Sequence, residues 1–156
     1  MKTELILVSK TTDKHLAAGI DDYVERIRHY IPFEVSVIPE LKNTKNMTEE
    51  QQKNREGELI LQRLQPADTV VLLDEHGKEL RSIELAEWLQ RKQHTARRLV
   101  FVIGGPYGFS AQVYARANEQ LSLSKMTFSH QMVRLLFVEQ IYRACTIIKG
   151  EPYHHE

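Results

Sequence analysis

The sequence predicts an α/β fold with a mostly parallel sheet and helices on both faces. Short, nearly uninterrupted apolar runs of strand length alternate with segments of helical periodicity along the whole chain. Such runs mark strands buried on both faces, as in parallel sheets. Distinctive loops follow three of them, where open parallel sheets bind ligands. At 156 residues the chain suits one domain, residues 1–156, with a core of its own.

Leu5 to Val8 reads as the first strand. Thr12 or Asp13 caps the next helix, whose Leu16, Ile20, Tyr23, Val24, Ile27 and Tyr30 fall at helical spacing until Pro32 stops it. Phe33 to Ile38 forms a second strand. Lys42 to Met47 is a polar loop expected to be mobile, and Thr48 with Gln51 forms a capping box before a polar helix. Thr69 to Leu73 is the third strand, ended by a turn at His76-Gly77, and Ser82 caps the following helix. Leu99 to Ile103 is the fourth strand. Ser110 caps a short helix after a glycine loop, and Leu121 to Leu123 is a short fifth strand. The last helix runs from about Gln131 to Lys149, and Gly150 and Pro152 end it. Its apolar residues cover more than the single stripe a surface helix buries. Two packing partners follow: the sheet, and either a second copy of the chain in a two-fold pair or further elements of the same subunit.

Lys plus Arg equals Asp plus Glu at 21 each, which excludes a strongly basic nucleic-acid coat but not an enzyme that reads one shaped RNA site. The cluster Arg91, Lys92, Arg97 and Arg98 reads most simply as a solvated helix end. One cysteine, Cys145, rules out an internal disulfide and lies in an apolar stripe, a core setting. No apolar run reaches the ~18 residues of a membrane span, and Met1 to Ser9 lacks the features of a signal peptide. These features point to a cytoplasmic protein. His154, His155 and Glu156 make a poor metal site, because a terminal tripeptide lacks supporting contacts. No metal is expected.

The three strand-end segments are Leu72 to Gly77, Ile103 to Gly108 and Leu123 to Phe128. The glycine loop Gly104-Gly105-Pro106-Tyr107-Gly108 matches neither the dinucleotide fingerprint nor a phosphate-binding loop. It is either a tight strand-to-helix turn or a place where backbone approaches a ligand. Asp74 and Glu75, adjacent in an extended segment, point to opposite faces and make a poor acid–base pair.

At these segments the sequence resembles the RlmH family of SPOUT methyltransferases. The matching stretches are Leu72 to Lys78, Phe101 to Ser110, Leu121 to His130, and Val133 to His154, with Glu139 to Ala144 and Pro152-Tyr153-His154 prominent in the last. The resemblance covers essentially the whole chain. It implies a C-terminal trefoil knot, an exception to the rule against threaded chains, and a homodimer whose partner subunit completes each active site. The implied cofactor is S-adenosyl-L-methionine. Leu73 would contact it, Gly104 and Gly105 would approach it by backbone, and Leu123, Ser124, Lys125, Met126, Thr127 and Phe128 would wrap it. The implied substrate is a pseudouridine of 23S rRNA in the ribosome, methylated at N3. The candidates for catalysis are His154 for proton handling, Arg143 for orienting the base or stabilising its charge, and Tyr153 for stacking on a splayed nucleotide. The bland alternatives are an interface ion pair for Arg143 and a frayed tail for His154. The family often carries a permanent charge after the tail histidine. Here His155 stands there, so a constant phosphate contact is not implied. Two other classes fit the bulk properties: a non-catalytic ribosome-binding factor, and a small nucleotide-dependent oxidoreductase, against which the missing fingerprint counts.

Overall fold

A computed structural model describes residues 1–155. Five strands form one sheet in the order β2-β1-β4-β3-β5, and every pairing is parallel. They are β1 (Lys2–Val8), β2 (Phe33–Ile38), β3 (Thr69–Glu79), β4 (Arg98–Ile103) and β5 (Glu119–Ser122). The helices are α1 (Lys14–Arg28), α2 (Glu49–Gln62), α3 (Ser82–Thr95), α4 (Ala111–Arg116) and α5 (Met132–Lys149).

Strand residues alternate between two cores, as the pleat requires. Leu5, Leu7, Val71, Leu99, Phe101 and Ile103 face α1, α3 and α5. Ile6, Val8, Val70, Leu72, Val100 and Val102 face α2 and α4. Both faces are thus covered, and the central strands are apolar at almost every position.

Local chemistry sets most boundaries. Asp13 caps α1, its carboxylate accepting from the backbone N–H groups of His15 and Leu16 at 2.8 and 2.9 Å. The Thr48–Gln51 capping box opens α2, and Ser110 caps α4. Within the polar loop before α2, Thr44–Asn46 forms one short 3-10 turn. Three expectations need correction. The cap of α3 is Arg81, whose backbone N–H is held by Glu84 Oε1 at 2.7 Å, and Ser82 is the first helical residue. Strand β5 begins and ends earlier than the apolar run Leu121 to Leu123, because Glu119 and Gln120 already pair with β3. Strand β3 does not end at Leu73. Leu73 and Lys78 both align with Leu121, so residues 74–77 bulge out of the ladder and the strand then resumes. In place of the expected turn, His76-Gly77 belongs to this bulge inside β3. Asp74 stabilises it by accepting from the His76 backbone N–H at 2.9 Å.

Helix α5 lies between α1 and α3 and packs on the sheet. Phe137, Val138, Ile141, Ala144 and Cys145 are buried there. Its flanks are therefore taken up within the subunit, which accounts for much of its apolar breadth. A half-buried outer stripe remains, with Val133, Leu136, Gln140 and Ile147. Cys145 is core, and burial pushes its thiol up to about 12. The basic cluster after α3 is ion-paired in part: Lys92 with Glu119, and Arg98 with Glu4 at 2.8 Å and Asp68 at 3.3 Å.

One charged side chain in α5 is completely buried. Arg134 is 0% exposed. Its guanidinium donates to the carbonyls of Val8 (2.7 Å), Ser9 (3.0 Å) and His130 (3.0 Å) and to Thr11 Oγ1 (3.0 Å). Burial lowers its pKa from the ordinary arginine value. The residue joins the end of β1, the segment after it and the segment before α5.

Gly77 lies where a Cβ would come within 2.7 Å of backbone atoms of Gln120 and Leu121. Gly77→Ala must displace β5 from β3. The expected cost is about 1–3 kcal/mol, the usual range for overpacking, read as a lower urea midpoint with an unchanged slope.

Candidate functional site

A cavity of about 570 Å³ opens at the carboxyl ends of β3, β4 and β5. Leu73, Gly104, Gly105, Leu123, Ser124, Met126, Thr127 and Phe128 all line it. Lys125 does not; its side chain is exposed. The three segments singled out in the sequence are therefore one site, brought together because β3 lies between β4 and β5. The floor is apolar, from Leu73, Ile103, Leu121 and Leu123, and Ser122, Ser124 and Thr127 add hydroxyls.

The charged residues of the wall, histidines aside, are Asp74 and Glu75; no Lys or Arg lines it among the described residues. Asp74 is well anchored. It accepts a short hydrogen bond from the Tyr114 hydroxyl, and His76 Nδ1 lies 3.2 Å from it. Burial first, then this bond to Asp74, raises the Tyr114 pKa well above the ordinary phenol value. Thr127 Oγ1 lies 3.4 Å from Glu75 Oε2, linking two of the three segments. His130 is held below the usual histidine range, by burial and then by Arg134.

The glycines of the loop have neighbours within the protein itself. A Cβ on Gly104 would meet the Phe109 ring at 3.1 Å, and one on Gly105 would meet Glu56 Oε1 at 3.0 Å. The absence of a side chain at Gly105 thus makes room for the carboxylate of Glu56, which projects from α2 behind the loop.

Arg143, Tyr153 and His154 form a second cluster, and none of them lines the cavity. About 15 Å of helix separates Arg143 from Val133 at the cavity wall, ten residues at 1.5 Å each. Their organiser is Glu139, one turn before Arg143. Its Oε1 accepts from Arg143 Nε at 3.1 Å, from Arg143 Nη2, and from the Tyr153 hydroxyl at 3.1 Å. Arg143 Nη1 reaches His154 Nδ1 at 3.1 Å, and the guanidinium sits 4.8 Å from the Tyr153 ring centroid. Tyr153 packs edge-on against Tyr142 at 4.8 Å, and its hydroxyl lies 3.5 Å from that of Tyr23. The bond to Glu139 raises the Arg143 pKa above its ordinary value. Burial, then Tyr23 and Glu139, raises that of Tyr153.

The tail is therefore docked on α5 and α1 as far as His154, while His155 is exposed. Glu156, named with the histidines in the sequence, lies outside the described residues. Tyr23 appears in the sequence as a helix residue and Glu139 as part of a matching stretch, but neither as a partner of the tail, although the four-residue spacing of Glu139 and Arg143 signals a helical ion pair.

Residues 1–154 match the family described as "Predicted SPOUT methyltransferase", and the chain belongs to that family. Membership implies the trefoil knot in the C-terminal part. At finer grain, the chain is 63% identical over the full length of both chains to a protein of Phocaeicola vulgatus named Ribosomal RNA large subunit methyltransferase H. Proteins of the same name from Bacteroides thetaiotaomicron and Christiangramia forsetii are 62% identical over the full length of both chains and 58% identical over 99% of both.

The tail geometry has a direct test. Glu139→Ala removes the acceptor shared by Arg143 and Tyr153. Amide exchange at residues 151–155 should speed up about tenfold, as expected for a lost charge-assisted bond of ~1.4 kcal/mol. Protection of the β-sheet amides should be nearly unchanged.

Proposed function

We propose that the protein transfers a methyl group from S-adenosyl-L-methionine to N3 of a pseudouridine in 23S rRNA of the assembled ribosome. It acts in the cytoplasm as a homodimer of one-domain subunits. The substrate class rests on the name shared by relatives more than 60% identical across the whole chain. The cofactor rests on the cavity, whose residues fit such a group.

Its volume lies within the ~300–1,000 Å³ of small-molecule sites. Its floor is apolar, as an adenine requires, and the Gly104-Gly105 segment offers backbone at close range. Its charged wall residues, Asp74 and Glu75, are acidic. That wall suits a sulfonium cation and repels the pyrophosphate of a dinucleotide, which counts against an oxidoreductase. When bound, the cofactor supplies a methyl group on positively charged sulfur. Leu73, Gly104, Gly105, Leu123, Ser124, Met126, Thr127 and Phe128 hold it. Lys125 falls out of this set on geometry.

The chain's own residues must then hold the base, remove the N3 proton and exclude water. Arg143 offers a cation where charge develops on the base. Tyr153 offers a ring for stacking a splayed nucleotide. His154, held by Arg143, offers a nitrogen to take the proton. These groups are remote from the cavity of their own subunit, so a partner must bring them to it. A two-fold pair joined through the outer stripe of α5 would deliver the tail of one subunit to the cavity of the other.

Three outcomes follow. Saturating S-adenosyl-L-methionine should raise the melting temperature, since ligand at a hundred times its Kd adds ~2.7 kcal/mol. Light scattering at micromolar concentration should give a dimer, and a monomer that still methylates ribosomes would rule out the shared site. Deleting Tyr153 to Glu156 should leave dimerisation and cofactor binding nearly intact but abolish single-turnover methyl transfer to unmodified ribosomes. Full activity of the truncated protein would remove the tail from the mechanism.

A further inference from the structure

Glu56 is the one carboxylate near the cavity that the proposed reaction does not use. It lies in the middle of α2, half-buried, behind the glycine loop. Its Oε1 is buried and has no hydrogen-bond partner, and no cation lies within ion-pair distance of the side chain among the described residues. Neighbouring charges on the same helix are paired outward: Lys53 with Glu50 at 2.9 Å, and Arg55 with Glu58 at 3.9 Å. A Cβ on Gly105 would stand 3.0 Å from Oε1 and 3.3 Å from Oε2. Only the thickness of one backbone strand therefore separates this charge from the cavity that Gly105 lines.

A buried, unpaired carboxylate is costly, and desolvation raises its pKa. Charges across so thin a layer of protein interact more strongly than in water. A cation in the cavity is the missing partner.

We infer that Glu56 is a specificity-determining residue, whose field across Gly105 favours the positively charged methyl donor over its neutral product. This rests on the cofactor reading above. When the methyl leaves, the S–CH₃ bonding pair stays on sulfur, the sulfonium becomes a thioether, and the ligand loses one positive charge. The donor and product are otherwise alike, so a charge outside the contact surface can separate them. Asp74 is less suited to this: Tyr114 and the His76 backbone already satisfy it. Glu75 is 55% exposed, so water screens it.

The test is calorimetric titration of the dimer with S-adenosyl-L-methionine and, separately, with S-adenosyl-L-homocysteine. Glu56→Gln keeps the shape and removes the charge. It should weaken donor binding about three- to tenfold and change product binding less than twofold. Glu56→Asp keeps the charge and should retain most of the preference. Glu58→Gln, on the solvent side of the same helix, should change neither affinity. The ligand-free Glu56→Gln protein should melt no lower than wild type, because an uncompensated buried charge has gone. Equal weakening of both ligands would make Glu56 a prop for the loop and overturn the inference, as would no change in either. If the wild-type protein binds neither ligand, the cofactor reading itself has failed and this inference falls with it.

Discussion

The site depends on a single buried arginine. Arg134 fastens the end of β1 to the segment that leads into α5, and it does so with four neutral oxygens. Removing one partner of such a group strands a charge in the core, the costliest kind of lesion. The chain from β5 must therefore reach its place beside β1 before the guanidinium is satisfied. That route carries residues 123–130 across the strand ends, where they become a wall of the cavity. Cavity and core are thus fixed together.

Much of this was legible in the sequence. The five strands and five helices follow from periodicity and capping residues, and the three loops of the cavity follow from what stands after the strands. What escaped is tertiary. The continuation of β3 past Gly77 depends on β5, and a local reading sees only a turn. Arg134 sits within the apolar run of α5, where its burial is invisible until the acceptors from β1 are in place. Glu56 lies in a helix whose composition reads as solvated. Its one signal is the adjacent Gly57, since a glycine in mid-helix marks a close approach. There, a Cβ would meet Ser110 Oγ at 2.3 Å. For the tail, the sequence supplied Arg143, Tyr153 and His154 but not the acceptor that holds them, Glu139.

The protein carries no net charge by formal count, yet its charge is unevenly placed. Asp74 and Glu75 line the cavity with Glu56 behind its glycine loop, and the guanidinium of Arg143 sits with the tail. Under the proposed function, a cationic cofactor and an anionic polymer would be addressed by different regions of one neutral molecule. High global charge would bind RNA indiscriminately through its phosphates. Local placement allows affinity for one site without that cost.

Strand order also has a kinetic meaning. Lys2 of β1 pairs with Arg98 of β4, 96 residues later. Strand β1 has β2 on one side but waits for β4 before its other edge is filled. Contacts so distant in sequence make folding slow, because loop-closure entropy is lost before the pairing rewards it. Strand β4 leads directly into Gly104 and Gly105. A nascent chain therefore gains the centre of its sheet and the lip of its ligand cavity within a few residues of synthesis, and has neither before.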